Sequence, residues 1–262
     1  MRKYFFTGLL TLLISGCSNV PEVNLLDGVK PDANDKINVV TIFSHPDDES
    51  FYTGGTLIKL KKDPRVTLHV ICLTNGNMDE AKDNLGISKD MLAKLRIEEL
   101  KMAGTVLGAD SVVCLNYDDQ GLSTADYDEL LKKIENLLHE HNASVIITND
   151  PFGLSGHIDH ITCNIIAKEA FVSSGAQRLY YITLEPWRYL YNLVFALSKS
   201  SAEKSKPTVK VDIKNEKKMK KMALYSHVTQ HNFSFWNSIA MTEDLWYNYE
   251  FFTMAGEKAA GK

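Results

Sequence analysis

Cysteine is scarce in this sequence, four residues in 262. That excludes a small scaffold stapled by disulfides. None of the spacings between Cys17, Cys72, Cys114 and Cys163 is that of a cysteine zinc site. The last three sit in apolar runs, so buried thiols are expected; a Cys72–Cys114 disulfide is the alternative in an oxidising compartment. A surplus of positive charge is missing too. There are 29 Lys and Arg against 33 Asp and Glu, the net charge is −4, and no long basic run occurs, which speaks against nucleic acid as a partner. No internal repeat is visible. No Gly-x-Gly-x-x-Gly follows the first apolar run, and Gly54-Gly55 alone is a weak phosphate turn, which counts against a Rossmann-type nucleotide enzyme. What remains is 44% hydrophobic and 24% charged, the balance of a globular chain with a full core.

The chain opens with Arg2 and Lys3, then a mostly apolar stretch from Tyr4 to Ile14. That stretch falls short of the about 20 apolar residues a membrane span needs. Ile14-Ser15-Gly16-Cys17 resembles the lipobox of bacterial lipoproteins. The resemblance implies a signal peptide over residues 1–16, cleavage before Cys17 and acylation of that cysteine, with an ordinary signal peptide as the alternative. Polar residues 17–36, with two prolines, read as a tether to a domain over 37–262. The expected location is the bacterial cell envelope, with a lipid anchor in the membrane and the domain on its periplasmic or surface face.

From Ile37 onward, strand-like and helix-like runs alternate. Ile37 to Phe43 is a β-branched run, followed by further strands over Val66–Leu73, Val112–Leu115, Val145–Thr148 and Leu179–Leu184. Helical spacing covers 55–62, 90–107, 127–139 and 158–171. Asp90 to Leu107 carries its apolar residues at Leu92, Leu95, Leu100, Ala103 and Leu107, and Gly108 ends it. Asn77 to Ser88 reads as a mobile loop, and the aromatic stretch 185–205 as an insertion. Such alternation predicts a three-layer α/β/α, Rossmann-like fold with a mainly parallel, doubly wound sheet. Ligands in such sheets bind beyond the carboxyl ends of the strands, where strand order reverses. Chemistry is therefore expected just after strands one and four.

Both places are rich in donors. Ser44-His45-Pro46-Asp47-Asp48-Glu49 follows strand one and Gly156-His157-Ile158-Asp159-His160 follows strand four. A catalytic zinc takes three protein ligands and keeps one open position, and imidazole and carboxylate suit it. His45 and Asp48 are three apart in a turn that Pro46 restricts. His157 and His160 are three apart at a helix start, on one face. The two motifs together supply three donors and leave acid/base groups to spare.

These motifs resemble the two signatures of the LmbE-like, or PIG-L, deacetylases, which cleave N-acetyl groups from N-acetylglucosamine carried on inositol, lipids or other aglycones. Arg96, Glu99, Ala103, Leu107 and Gly108 resemble the family's Arg-x-x-Glu-x-x-x-Ala-x-x-x-Leu-Gly helix, Thr74-Asn75-Gly76 its Thr-x-Gly turn, and Lys221 to Gln230 its stretch of a Lys, then an Ala, then His-x-Ser-Gln, with Thr229 in place of Ser. Ser44 stands where many members have Ala. The likeness covers residues 37–235. It implies an LmbE-like fold and a zinc-dependent N-deacetylase, with His45, Asp48 and His160 as metal ligands, Asp47 as general base and a protonated His157 stabilising the oxyanion. Asp159 would then orient or charge His157. Arg96 is implied to meet substrate hydroxyls or a phosphate. Asp119, on the turn after strand three, is the other expected substrate contact. The substrate is an N-acetylated amino sugar. Fe(II) or Co(II) fit the same donors, and a non-catalytic, metal-containing sugar-binding lipoprotein is the rival reading.

Overall fold

The structure, a computed structural model, describes residues 20–183, 205–230 and 248–258. Residues 1–16, Cys17 and all but the last residue of the aromatic stretch 185–205 lie outside the described residues.

The first strand, β1 (Ile37–Phe43), is buried along its whole length. A strand that carries apolar side chains on both faces must be covered on both, which is the condition of a central parallel strand. Its neighbours are β2 (Val66–Thr74) and β4 (Val145–Thr148), both parallel. Outward from these lie β3 (Ser111–Tyr117) and β5 (Arg178–Thr183), again parallel. Two strands were not foreseen, β6 (Val209–Asp212) and β7 (Tyr249–Glu257). They extend the sheet antiparallel, β7 on β5 and β6 on β7, giving the order β3-β2-β1-β4-β5-β7-β6.

Strand order reverses between β1 and β4. Helices α1 (Asp48–Leu60) and α3 (Lys89–Leu107) connect β1, β2 and β3, while α4 (Tyr127–Glu140) and α6 (Ile158–Ser173) connect β3, β4 and β5. Alternate β1 residues face opposite layers. Val39 packs in a cluster with Leu57, Leu60, Leu100 and Leu107. Val40 packs with Leu130, Ile134, Cys163 and Ile166. The expected doubly wound α/β/α sandwich is the fold observed.

Several boundaries differ from expectation. Helix α1 begins at Asp48, seven residues before the expected start, with Asp48 and Glu49 in its first turn where the helix dipole favours acids. Its internal Gly54-Gly55 looked like a start because glycine is a poor helix former. Gly55 is there for closeness: a β-carbon would lie 2.7 Å from the side chain of Ile213. Residues 77–88, read as a loop, contain the short helix α2 (Ala81–Leu85). A four-residue helix, α5 (Gly153–Gly156), precedes α6, and α7 (Lys217–Tyr225) packs between α1 and α3.

The tether reading needs correction in its described part. Leu25 is fully buried, Leu26 and Val29 nearly so, and all three belong to the core cluster. The segment also pairs beside β6, through Lys210 N–H to Pro21 O and Val23 N–H to Lys210 O. A polar average concealed three apolar side chains able to repay the ordering of the segment. Cys72, Cys114 and Cys163 are free thiols, and Cys72 and Cys114 are register partners on β2 and β3.

Candidate metal centre

The β1–α1 turn and the start of α6 meet at the reversal point. Ser44 Oγ donates to Asn149 Oδ1 at 3.3 Å and ties the two strand ends together. Across this junction His45 Nδ1 lies 3.0 Å from His160 Nε2. Asp48 Oδ2 lies 3.4 Å from that His160 nitrogen and 3.8 Å from His45 Nδ1. Donors about 2.0–2.2 Å from a tetrahedral zinc sit roughly 3.3 Å from one another, so the triangle has the right size.

Hydrogen bonds on the far side of each ring decide whether those atoms are donors to a cation. His160 Nδ1 is 3.0 Å from Gly153 O, which can only accept, so Nδ1 carries the proton and Nε2 presents a lone pair. His45 Nε2 faces two carboxylates, Asp119 Oδ1 at 3.1 Å and Asp159 Oδ2 at 3.4 Å, so its proton belongs there and Nδ1 presents the second lone pair. Asp48 contributes the third. Its carboxylate also accepts the His45 peptide N–H at 3.0 Å. Three buried lone pairs facing one point repel one another unless positive charge lies among them. The charges around this point also favour a cation. Burial disfavours a charged His45 ring, yet Asp119, Asp159 and Asp48 outweigh it and raise its pKa to about 10. Burial alone would raise Asp48, and His160 and His45 instead hold it below the usual carboxylate range. The donor set fits a divalent metal, and His45, Asp48 and His160 form one of two acidic–imidazole groups of metal-binding size among the described residues.

Asp47 does not join this triangle. It is the residue before α1, with φ 124° and ψ −29°, a conformation rare for any residue with a β-carbon. Its carboxylate receives Arg96 Nη2 at 2.7 Å. Burial pushes Asp47 well above the usual carboxylate range despite that guanidinium.

Four expected roles change. Arg96 is engaged within the protein. It is buried, with Nη1 donating to Gly76 O at 3.1 Å and Nη2 to Pro46 O at 2.6 Å as well as to Asp47. Gly76, at φ 66°, has no β-carbon because one would collide with that guanidinium, which explains the Thr-Asn-Gly turn. Asp119 lies against His45 Nε2 instead of reaching outward for a sugar. Asp159 is fully buried and its carboxylate orients His45, not His157; it is fixed by the Gln120 and Leu122 peptide N–H groups at 2.6 and 3.2 Å. His157 is half-buried and caps α6, its Nδ1 accepting the Asp159 N–H at 3.2 Å. Burial, and then His45 and His160, lower its pKa, and with Nδ1 accepting, the ring's N–H is on Nε2.

Glu49, Glu99 and His227 belong to this site's frame and had been given no role. Glu49 Oε2 accepts the Asp47 N–H, Glu49 Oε1 accepts His227 Nε2, and Glu99 accepts from Thr229. Membership in the recognised motifs was the only signal for them.

Comparison with known proteins agrees with this geometry. The profile of a family described as PIG-L, GlcNAc-PI de-N-acetylase, matches residues 40–171. A probable N-acetyl-alpha-D-glucosaminyl L-malate deacetylase 2 of Bacillus anthracis is 31% identical over 194 residues, 74% of this chain and 81% of that one. The N,N'-diacetylchitobiose deacetylase of Pyrococcus horikoshii superposes with a TM-score of 0.62 at 25% identity, covering 95% of this chain and 92% of that chain. A 4-carboxy-2-hydroxymuconate hydratase of Pseudomonas putida, GalB, has a TM-score of 0.60 at 16% identity over 86% of this chain and 99% of that one, and shares the fold alone. With its two signature motifs folded into one centre, and with relatives that are deacetylases of N-acetylglucosamine-type compounds, the chain belongs to the PIG-L, or LmbE-like, family.

Proposed function

We propose that this protein is a zinc-dependent hydrolase that removes the N-acetyl group from an N-acetylglucosamine-type sugar conjugate. The observation that carries this reading is the convergence of three lone pairs, from His45, Asp48 and His160, beside a strained and raised carboxyl group at Asp47. The names of the relatives, a glucosaminyl malate deacetylase and a diacetylchitobiose deacetylase, support the substrate class. Two imidazoles and a carboxylate suit zinc, and Fe(II) or Co(II) as well.

Bound at these donors, zinc supplies a Lewis acid for the acetyl carbonyl and lowers the pKa of water toward about 7. The chain's own side chains do the rest. Asp47 accepts a proton from the attacking water as its oxygen adds to the acetyl carbon. It returns the proton to the sugar nitrogen as the C–N bond breaks. The products are acetate and the free amino sugar. His157 Nε2–H donates to the oxygen that gains charge in between, and loss of one such donor costs on the order of 10²–10³ in rate. Asp119 and Asp159 keep His45 in the tautomer the centre needs, as carboxylates behind a ligating imidazole do.

A sugar-binding protein without turnover has no use for a base held in a strained conformation, which favours the enzyme. The test is a panel of N-acetylglucosamine conjugates given to chelated protein with and without added Zn²⁺, with released acetate measured. Acetate that tracks zinc supports the proposal; zinc uptake with no acetate from any conjugate supports the binder. We also propose that Cys17 carries a lipid, on the strength of Ile14-Ser15-Gly16-Cys17. Lipid labelling that survives Cys17→Ser would end that proposal.

A further inference from the structure

The conformation of Asp47 has to be held by something, because φ 124° is not one an aspartate keeps unaided. Helix α1 holds the Asp47 carbonyl, which accepts the Ser50 and Phe51 N–H groups, Arg96 Nη2 holds the preceding Pro46 carbonyl, and two further grips bear on the Asp47 side chain and its N–H. Arg96 holds the carboxylate. The other grip is on the backbone: the Asp47 peptide N–H donates to Glu49 Oε2 at 3.0 Å, a bond that reaches only two residues along the chain. Such a bond fixes the turn only if the Glu49 carboxylate is itself fixed.

Glu49 is fixed from a distant part of the sequence. It is 1% exposed, and its second oxygen, Oε1, accepts the Ser50 hydroxyl and His227 Nε2, the latter at 2.9 Å. His227 is fully buried on the turn that follows α7. That turn is pinned in its own right, because Thr229 N and Oγ1 donate to the two oxygens of Glu99, each at 2.7 Å. Glu99 lies one turn beyond Arg96 on α3, the helix that also grips the Asp47 carboxylate. His227 is in neither of the metal-sized groups, so its buried ring has no task as a ligand among the described residues.

We propose that His227 is a positioning residue of the active site: acting through Glu49, it holds the Asp47 backbone in the conformation that aims the general base at the centre. The proposal rests on Asp47 being the base. Without the His227 donor, Glu49 keeps only the neighbouring Ser50 hydroxyl on Oε1 and can rotate. Asp47 then relaxes toward negative φ and its carboxylate moves off line, while His45, Asp48 and His160 keep their own bonds. Misplacement of a catalytic group by about 1 Å costs on the order of 10²-fold.

The experiment compares His227→Gln with His227→Asn in the zinc-loaded full chain, using N-acetylglucosamine conjugates and Asp47→Asn as the reference for a lost base. A glutamine amide reaches the place of Nε2 and restores a donor to Glu49; an asparagine amide is one carbon short. The expected result is kcat near wild type for His227→Gln and about 10²-fold lower for His227→Asn, with KM and zinc content unchanged in both. Equal kcat in the two variants overturns the proposal, and so does loss of zinc together with rate in His227→Asn. A crystal structure of His227→Asn in which Asp47 keeps φ near 124° overturns it whatever the activity. A wild-type protein that releases no acetate, or an Asp47→Asn protein that releases it normally, defeats the hydrolase reading instead, and the crystallographic arm still decides the role of His227.

Discussion

Asp47 and Asp48 are chemically identical neighbours whose surroundings drive them in opposite directions. Burial raises both carboxyl groups. For Asp48 the two imidazoles outweigh burial, and it stays ionised. For Asp47 the Arg96 guanidinium opposes burial without overcoming it, and the group is left above the ordinary carboxylate range. A base must be deprotonated to work, so the acidic limb of the kcat/KM profile is expected above that range. The sign of a change at Arg96 follows. Arg96→Met removes the charge that lowers Asp47, so the limb moves to higher pH. Arg96→Lys keeps a charge but loses the planar fork, so the limb stays near its wild-type place while kcat falls. A limb that does not move in Arg96→Met refutes this account. The three candidate metal donors were legible as a cluster because their spacing has few other uses. Arg96, Glu99 and His227 were not legible as buried supports, because a charged residue on a helix ordinarily faces water and only its partners reveal otherwise.

At the scale of elements, α3 illustrates why patterning misleads near a site. Leu95, expected on the apolar face, is 39% exposed, whereas Arg96 and Glu99 point inward. The helix rotates its charged residues into the protein because Asp47 and Thr229 are there to meet them. Long elements with clear caps were read nearly to the residue. Asp126 caps α4 through the Glu129 N–H, and Gly108 ends α3 at φ 78°. Strand β6 escaped notice because an antiparallel edge strand needs no long apolar run, and Val209 to Asp212 alternates over only four residues; β7 escaped because only Glu250 to Phe252 of it is buried. Helix α1 was seen but entered too late, at its glycine pair. That pair yields a prediction. Gly55→Ala gains in helix propensity but drives a methyl into Ile213 at 2.7 Å, while the Gly55 N–H must still reach Glu250 Oε1 at 3.0 Å. Overpacking of this kind costs about 1–3 kcal/mol, more than the roughly 1 kcal/mol that replacing a helical glycine returns. The expected outcome is a lower melting temperature, and a melting temperature equal to or above wild type would show that β6 and its following loop yield easily.

At the scale of the whole molecule, the alternation of strands and helices was enough to place the site, because a doubly wound sheet has one reversal point on this side and both histidine motifs border it. The limits of the domain were harder to read, since a short segment can be polar on average and still supply core. Residues 20–30 are such a segment. Leu25, Leu26 and Val29 are buried, and Leu25 O accepts the Tyr180 hydroxyl at 3.1 Å. Full burial of one such aliphatic side chain stabilises by about 1.5–3 kcal/mol, and a buried hydroxyl left without its acceptor costs about 1–3 kcal/mol. Together these make several kcal/mol, against a total stability of about 5–15 kcal/mol for a typical domain. A protein beginning at Pro31 is therefore expected to melt at least 10 °C below one beginning at Asn19, at the roughly 2–4 °C per kcal/mol usual for domains of this size. None of the three candidate metal donors lies in the removed segment, so the shorter protein is expected to bind zinc stoichiometrically at a temperature where it is folded. Equal melting temperatures for the two proteins would restore the tether reading. Loss of zinc binding in the folded shorter protein would mean instead that the segment supports the β1–α1 turn from below.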